Sequence, residues 1–521
     1  MQRHSSALRI SFSLSINPYF LFSALLITII LTLNSCDSST KGSYKFQSES
    51  MHWLQFRGAN ASGVAPEDAN PPVHFSADTN LFWKVEVFKG WSSPSIVNDR
   101  IFLTGFDDQD SLLYTMAIGR ENGEVLWKDS VKPHGYYDRH PMYTYADPTV
   151  ASDGSRVFAS FPNYGLIAYD LKGNKLWEYT HELISQYFNG GASSPIVIDS
   201  MVVLIVNSEK DPRIVTLNAA TGDPVWTIRG ADKGWGPMWT TATPVVYNET
   251  MILHFSDRIA SVAITDGAVK WWIMVPSTGV TTPVIMEDMM YVNTWINGGE
   301  ESVRGKRIPF AELLEDYDEN GDGKIVIDEL KEDLKFTQRP ENTDALWSSA
   351  NLKGFAGRFD INKDQVLEEH EWNTMLEYLA SYFKEHGMHA IPLKGSGERS
   401  FTDILWKVNK DTPETPSPLV VGEYVLFIKN GGILSVIHRE SGEVVHHKRI
   451  GAAGGYFASP MLAGKRIYLC SFNGTITILS ADDFSVLAQN KLREKISASP
   501  VAIDDVLYIR TDKHLYAFRE Q

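Results

Sequence analysis

Asp318, Asn320, Asp322 and Glu329 carry side-chain oxygens at positions 1, 3, 5 and 12 of a twelve-residue stretch, with Gly323 at position 6 and Ile325 at position 8. A hard divalent cation such as calcium takes about six to eight oxygen ligands and needs a sharp turn in the middle of its loop. Asp318, Asn320 and Asp322 would supply side-chain oxygens, Lys324 its backbone carbonyl and Glu329 both carboxylate oxygens; Val326 at position 9 leaves that place to a water. A second stretch, Asp360 to Glu371, repeats the pattern with Asp360, Asn362, Asp364, the Val366 carbonyl and Glu371, and Glu368 offers a carboxylate at position 9. It departs at position 6, where Gln365 replaces glycine. A non-glycine residue in the left-handed conformation costs about 1–2 kcal/mol, a loss of about 5- to 30-fold in affinity. The competing readings are an acidic surface turn for the first stretch and a degenerate loop, kept to pair with the first, for the second. One or two Ca2+ ions are therefore the expected metal.

Helices must hold such loops. Phe310-Ala311-Glu312-Leu313-Leu314-Glu315 has the apolar spacing of a helix entering the first loop, and the apolar run from Met375 to Leu379, with Phe383, suits one leaving the second. The whole reads as an EF-hand pair occupying 298–388. Of the formal net charge of −16, about nine excess negative charges fall between Glu300 and Arg399, which suits a local cation site. The acidic balance excludes nucleic acid as a partner class.

The pair interrupts a repeat. Eight times a residue precedes a proline and is followed by an apolar strand, a polar turn and a second apolar strand: Ser93-Pro94, Asp147-Pro148, Ser194-Pro195, Thr243-Pro244, Thr282-Pro283, Ser417-Pro418, Ser459-Pro460 and Ser499-Pro500. A period of about 40 to 55 residues with four short strands per unit describes a propeller blade. In the second unit the strands are Pro148–Ala151, Arg156–Ser160, Leu166–Asp170 and Lys175–Tyr179, joined by Asp/Gly/Asn turns. A tryptophan follows the last turn glycine by four residues (Gly123 and Trp127, Gly222 and Trp226, Gly267 and Trp271), a register that suits packing between blades. The last unit stops after its third strand, His514–Phe518, while Leu81–Val87 is a fourth strand without a blade. Pairing them closes the ring without leaving a raw edge. The expected fold is all-β, an eight-bladed propeller with an inserted α-helical EF-hand pair. Its boundaries are a leader at 1–35, a linker and opening segment at 36–79, propeller at 80–297, the insert at 298–388 and propeller again at 389–521.

Arg3 and Arg9 precede an apolar run from Phe20 to Leu33 that ends at Asn34-Ser35-Cys36. This is an export signal, with a membrane-spanning helix as the alternative. The other cysteine, Cys470, lies in an apolar strand and reads as a small buried hydrophobe.

Three segments carry family resemblances. Leu33–Cys36 resembles a bacterial lipobox, which implies cleavage before Cys36 and a lipid on its sulfur. The third strand Ala168-Tyr169-Asp170, the turn glycine and the tryptophan together resemble the pyrroloquinoline-quinone (PQQ) repeat, over roughly residues 80–521 outside the insert. Trp53–Gly63 and Ala390–Lys407 look like the opening motif and one blade of PQQ-binding-like propellers. PQQ-dependent dehydrogenases share the fold and resemble one another in an adjacent cysteine pair beneath the cofactor; this chain has no such pair. PQQ is thus the less favoured cofactor. The resemblance points instead to a non-enzymatic propeller similar to the scaffold lipoprotein of outer-membrane barrel assembly.

By strand parity, the insert between the second and third strands of the fifth unit stands on the face where fourth-to-first loops ring the channel. Trp91, Tyr145, Trp239 and Tyr456, ahead of the proline marks, are the candidate ligand funnel, with aromatic plugging as the structural reading. Two functions follow. One is a lipid-anchored, extracytoplasmic calcium-binding scaffold for a protein, peptide or glycan in the bacterial cell envelope. The other is a PQQ-dependent or related oxidoreductase whose lid is the calcium pair.

Overall fold

The computed structural model describes residues 52–136, 143–182, 191–208, 210–233, 238–296, 309–318, 320–330, 335–338, 349–351, 360, 362–381 and 383–520. The leader and Cys36 lie outside the described residues.

Eight sheets follow one another around the ring, each holding a four-stranded antiparallel blade. The eighth is closed from both directions: Leu81–Glu86 pairs antiparallel with His514–Phe518, Trp83 opposite Ala517 and Lys84 opposite Tyr516. Blade strands two and three are buried on both faces, for example Val157–Phe161 and Gly165–Tyr169, as a stack of sheets packed face to face requires.

The fourth strands carry a bulge at one register. Pairing slips between Lys175 and Trp177, between the partners of Thr216 and Leu217, and between those of Ser261 and Val262. The extra residue is left facing out, so Leu126, Leu176 and Val225 are exposed, while the next residue, a tryptophan, turns toward the neighbouring blade. Trp127 Nε1 donates to Leu171 O (3.1 Å), Trp177 to Ala219 O (3.1 Å) and Trp226 to Ile264 O (2.8 Å). Each indole lies on the turn glycine of the next blade: a Cβ at Gly173 would fall 2.7 Å from the Trp127 ring, and one at Gly222 2.7 Å from Trp177. Glycine is required there both by this contact and by φ values of +91° and +78°. Blade six has His446 in the tryptophan's place, and it packs on Phe484 with ring centres 5.5 Å apart.

The proline marks sit where the innermost strands begin, and hydroxyl side chains there are linked around the axis by seven N–H bonds, at every step but Ser194 to Thr243. Ser499 N–H donates to Ser93 Oγ, Ser93 N–H to Thr149 Oγ1 and Thr149 N–H to Ser194 Oγ. The series continues from Thr243 through Thr282, Ser417 and Ser459 back to Ser499, every bond 3.0 Å. The ring corrects the reading of the second unit. Thr149, not Asp147, is the register equivalent of Ser93 and Ser194, and Pro148 stands two residues early. Asp147 is thereby placed one tier above the ring.

In blade five the chain leaves after Met289–Asn293 and returns at Met388–Pro392, which pair with each other. Thr294 N–H donates to Gly387 O (2.8 Å) at the root, and Lys407 bridges to Glu385 at 2.6 Å. Within the insert, helices Phe310–Tyr317 and Glu369–Ser381 flank a two-residue antiparallel ladder, Ile325 opposite Leu367 and Val326 opposite Val366. Phe310, Leu313, Tyr317, Ile325, Leu367 and Trp372 share one buried cluster. A segment after the insert, Gly397–Arg399, adds a parallel fifth strand to the outer edge of blade four. Cys470 is buried in the core, and burial pushes its thiol up to about 12. No described helix is long and apolar enough to cross a membrane.

Candidate functional site

Two tiers of side chains line the axial chamber. The lower is the hydroxyl ring; the upper is formed by the residues two positions earlier in each blade, among them Trp91, Asp147, Val280, Thr415 and Phe457. Tyr143 joins the wall, Phe56 lies in the lining from the amino-terminal segment, and the cavity measures about 110 Å3. Asp147 is the only formally charged side chain among the described lining residues. Its two oxygens accept the Thr144 N–H at 3.0 Å each, and the Thr144 hydroxyl donates to one of them.

The amino-terminal segment closes the opposite side. His52 and Trp53 pair with Val97 and Ile96 at the inner edge of blade one. Leu54 O accepts from Ser152 N–H of blade two, and Val64 bridges to Leu462 of blade seven. The Asn60 amide clasps the Val246 peptide of blade four from both sides, Nδ2 to O at 2.9 Å and N–H to Oδ1 at 2.7 Å. Arg57 Nη2 donates to Pro418 O of blade six (2.6 Å) and to Ser62 O (3.2 Å). The arginine is 1% exposed, and burial without a carboxylate pulls its pKa down to about 9. Its Nε and Nη1 have no hydrogen-bond partner among the described residues. A Cβ at Gly63 would meet Arg57 Nη2 at 2.5 Å, so the motif Trp53–Gly63 is a structural plug held to five blades.

Of the four funnel candidates, Trp91 lines the chamber. Tyr145 is buried against Phe106 and Tyr136, with ring centres at 5.0 and 5.5 Å. Tyr456 is 1% exposed with its hydroxyl on Ala452 O, and Trp239 is not in the lining. Tyr143, Asp147, Phe56 and Phe457 were missed. The signal for the upper tier was the offset of two residues from each ring hydroxyl, which the displaced Pro148 obscured.

In the first oxygen-rich loop, Asp318 Oδ1 accepts the N–H groups of Gly321 (2.8 Å) and Asp322 (3.2 Å), and Oδ2 accepts that of Gly323 (2.8 Å). The second loop repeats this: Asp360 accepts from Asp364 (3.1 Å) and Gln365 (2.9 Å), and Asn362 Oδ1 accepts Asp364 N–H (2.9 Å). Gly323 and Gln365, both at position 6, have φ +79° and +67°. Lys324 and Val366, whose carbonyls were singled out, donate their N–H groups to Asp322 Oδ1 and Asp364 Oδ1 at 2.9 Å. Asp360 and Glu371 are 0% and 1% exposed, and Glu371 accepts from Asn362 and Glu368 N–H. Glu368 is turned elsewhere, 3.3 Å from His370 and 3.8 Å from Lys324. The side chain of Glu329 lies outside the described residues. Among the described residues, no three His, Cys, Asp or Glu side chains form a closed metal cluster. The donor set is of another kind, Asp, Asn and backbone carbonyl oxygens on a turn preformed by positive φ. Two buried carboxylates in one loop are costly without a compensating cation, so the residues fit a hard cation.

One constellation resembles a hydrolytic triad. Ser435 Oγ lies 3.1 Å from His447 Nδ1, and His447 Nε2 lies 3.1 Å from Asp411, which also holds Lys429 at 3.1 Å. Ser435 is buried at 2% exposure inside blade six, so the set cross-links strands and presents no nucleophile.

The family profile described as outer membrane protein assembly factor BamB matches residues 115–288 and 395–521, more than half of the chain, and breaks across the insert. The chain belongs to this BamB family. No curated protein matches it. Among solved structures it is similar to BamB from Moraxella catarrhalis, at 12% identity over 84% of this chain and 98% of that one, with a TM-score of 0.49. It is also similar to a europium-containing methanol dehydrogenase (10% identity, 90% and 98% covered, TM-score 0.52). A quinohemoprotein alcohol dehydrogenase from Comamonas testosteroni gives 10% identity, 90% and 80% covered and a TM-score of 0.52. At such identities the dehydrogenase likenesses establish the shared propeller alone.

Proposed function

We propose that this BamB-family chain is a calcium-binding, lipid-anchored protein of the bacterial cell envelope whose propeller is a scaffold for a protein or peptide partner. Cys36 would carry the anchor. The two oxygen-rich loops act as an EF-hand pair: Asp318, Asn320, Asp322, the Lys324 carbonyl and Glu329 would hold one Ca2+, and Asp360, Asn362, Asp364, the Val366 carbonyl and Glu371 a second. Calcium would order the insert at the face onto which the chamber opens.

The chamber's charge carries this reading. PQQ is a polyanion, and a pocket for it needs cationic or metal counter-charge; the described lining offers one charged side chain, the carboxylate of Asp147. Behind the wall, Arg510 is engaged with the Ser92, Phe88 and Thr104 carbonyls and with the charge of Asp147. A collar whose one described charged lining group is a carboxylate suits contact with a partner's surface better than enclosure of an anionic quinone. The test is calorimetry with Ca2+, alongside reconstitution with PQQ and a redox-dye assay. Calcium binding without quinone uptake is expected. Stoichiometric quinone binding with dye reduction would replace the scaffold by an oxidoreductase.

A further inference from the structure

We propose that the axial chamber binds a neutral saccharide residue through its ring of hydroxyl groups. The inference goes beyond the scaffold reading and does not depend on it. Twelve of the eighteen described lining residues carry a hydroxyl, and all eight ring residues are among them. None of those eight is more than 5% exposed. The ring bonds, at 2.9–3.0 Å, fix seven of the oxygens against a neighbouring blade and spend one lone pair on each. Among the described residues, none of the eight hydroxyls has an acceptor for its own O–H. Each of the seven therefore offers the chamber one donor and one remaining lone pair. Accepting an N–H also polarises the O–H into a stronger donor. Buried donors require acceptors, and these stand on one circle around one cavity.

A saccharide matches this surface because its hydroxyls both donate and accept, as the ring does. A peptide separates the two roles, its carbonyl only accepting and its N–H only donating. Thr241, Thr415 and Ser497 extend the same chemistry one tier up. The one charged group in the described lining, Asp147, is engaged by the Thr144 N–H and by the charge of Arg510. Recognition therefore falls to the uncharged hydroxyls. A cavity of about 110 Å3 has room for several water-sized groups, which suits one pyranose ring and not an oligosaccharide. Sugar hydroxyls replace water on such donors bond for bond.

The test titrates the full chain with glucose, galactose and N-acetylglucosamine, read by calorimetry or saturation-transfer NMR. Cyclohexanol, N-acetylglycinamide, glucosamine and glucuronate control for ring shape, the peptide group and charge of either sign. At least one neutral sugar should bind with a Kd at or below about 1 mM, and about tenfold tighter than cyclohexanol or N-acetylglycinamide. Thr243→Val removes the one ring hydroxyl that receives no ring N–H, so every ring bond is kept, including that from Thr243 N–H to Thr282. It should weaken the sugar about three- to tenfold, the scale of one neutral hydrogen bond, at unchanged melting temperature. Ala192→Phe, which fills the upper tier, should abolish binding and decides the matter if Thr243→Val destabilises the fold. No sugar binding at all, or cyclohexanol binding as tightly, overturns the proposal, as does binding that survives both substitutions. A charged sugar binding tighter than neutral glucose overturns the neutral class, and N-acetylglycinamide binding as tightly assigns the chamber to a polypeptide. None of these outcomes touches the calcium isotherm or the quinone assay, so failure here leaves the scaffold reading standing.

Discussion

Gln365→Gly and its mirror, Gly323→Gln, exchange the position-6 residues of the two oxygen-rich loops proposed to bind calcium. Both positions are left-handed, at φ +67° and +79°. The exchange is clean at Gly323, where an added Cβ meets no heavy atom within 4 Å, so the only penalty there is the backbone conformation. That penalty is about 1–2 kcal/mol. Relieving it at Gln365 forfeits one long hydrogen bond, Nε2 to Asp360 at 3.4 Å, worth at most about 0.5 kcal/mol. The backbone bond from residue 365 to Asp360 is kept. The net gain is therefore about 0.5–2 kcal/mol, a factor of about 2 to 30 in an equilibrium constant. Where it appears depends on when the turn forms. If the left-handed turn forms only with calcium, the gain enters the binding constant of the second site. If the turn stands without metal, the gain enters the melting temperature of the metal-free insert. Calorimetric titration and thermal melts of the full chain, with calcium and with chelator, measure both shares. Gly323→Gln should lose the same amount at the first site. Gln365→Gly leaving affinity and stability both unchanged, or weakening the second site, would refute the assignment of position 6.

Glu329→Gln should abolish binding at the first site while sparing the second, because it removes the only twelfth-position carboxylate of that loop; a calcium isotherm that keeps two sites sinks the ligand set. Asn60→Ala removes both side-chain bonds to the Val246 peptide, whose residue is buried, and should cost about 2–4 kcal/mol. Limited proteolysis ahead of residue 64 would then quicken, and an unchanged melt would mean the plug is not anchored there. His254 and His389 are fully buried, on Ser277 and Thr281 and on Thr294, and burial lowers their pKa to about 4 and about 3. Both are neutral in the fold, while the unfolded chain titrates near the ordinary histidine value of about 6.5. Below pH 6.5 the unfolded state binds more protons, so stability is full above that pH and falls as pH drops toward 4 and 3. His389→Gln, which can still bond Thr294, should flatten the melting-temperature slope between pH 6.5 and 4.5; an identical slope would place acid sensitivity elsewhere.

The architecture was legible because a repeat states the same physics eight times. The bulge that exposes Leu126 and turns Trp127 inward is one local event, and the Gly123-to-Trp127 spacing records it. Closure was legible from an orphan strand at each end, and the structure pairs them as Leu81–Glu86 with His514–Phe518. The chamber was not legible in the same way. Its wall depends on which residue of each loop falls two positions before the ring hydroxyl, and proline is only a proxy for that register. Where the proxy slips, at Asp147-Pro148, the wrong neighbour, Tyr145, was put forward and the charged wall residue passed unnoticed. Tyr456 failed for another reason. Aromatic rings near a mark satisfy a pocket and a core equally well, and only burial separates them.

The plug and the insert answer one geometric problem from opposite sides. A propeller's inner strands leave an axial hole whose backbone and hydroxyl groups must be satisfied or wetted. On one side the opening segment does this with main-chain pairing at His52 and Trp53 and with the Asn60 amide on Val246. The insert is rooted between the second and third strands of blade five, a connection that by strand parity runs on the face of the fourth-to-first loops carrying Trp91 and Asp147. Deleting 52–64 should open the chamber at its floor and lower the melting temperature, because it removes the Arg57 bond to Pro418 and the Asn60 amide on Val246; an unchanged melt would show that the plug does not stabilise the ring.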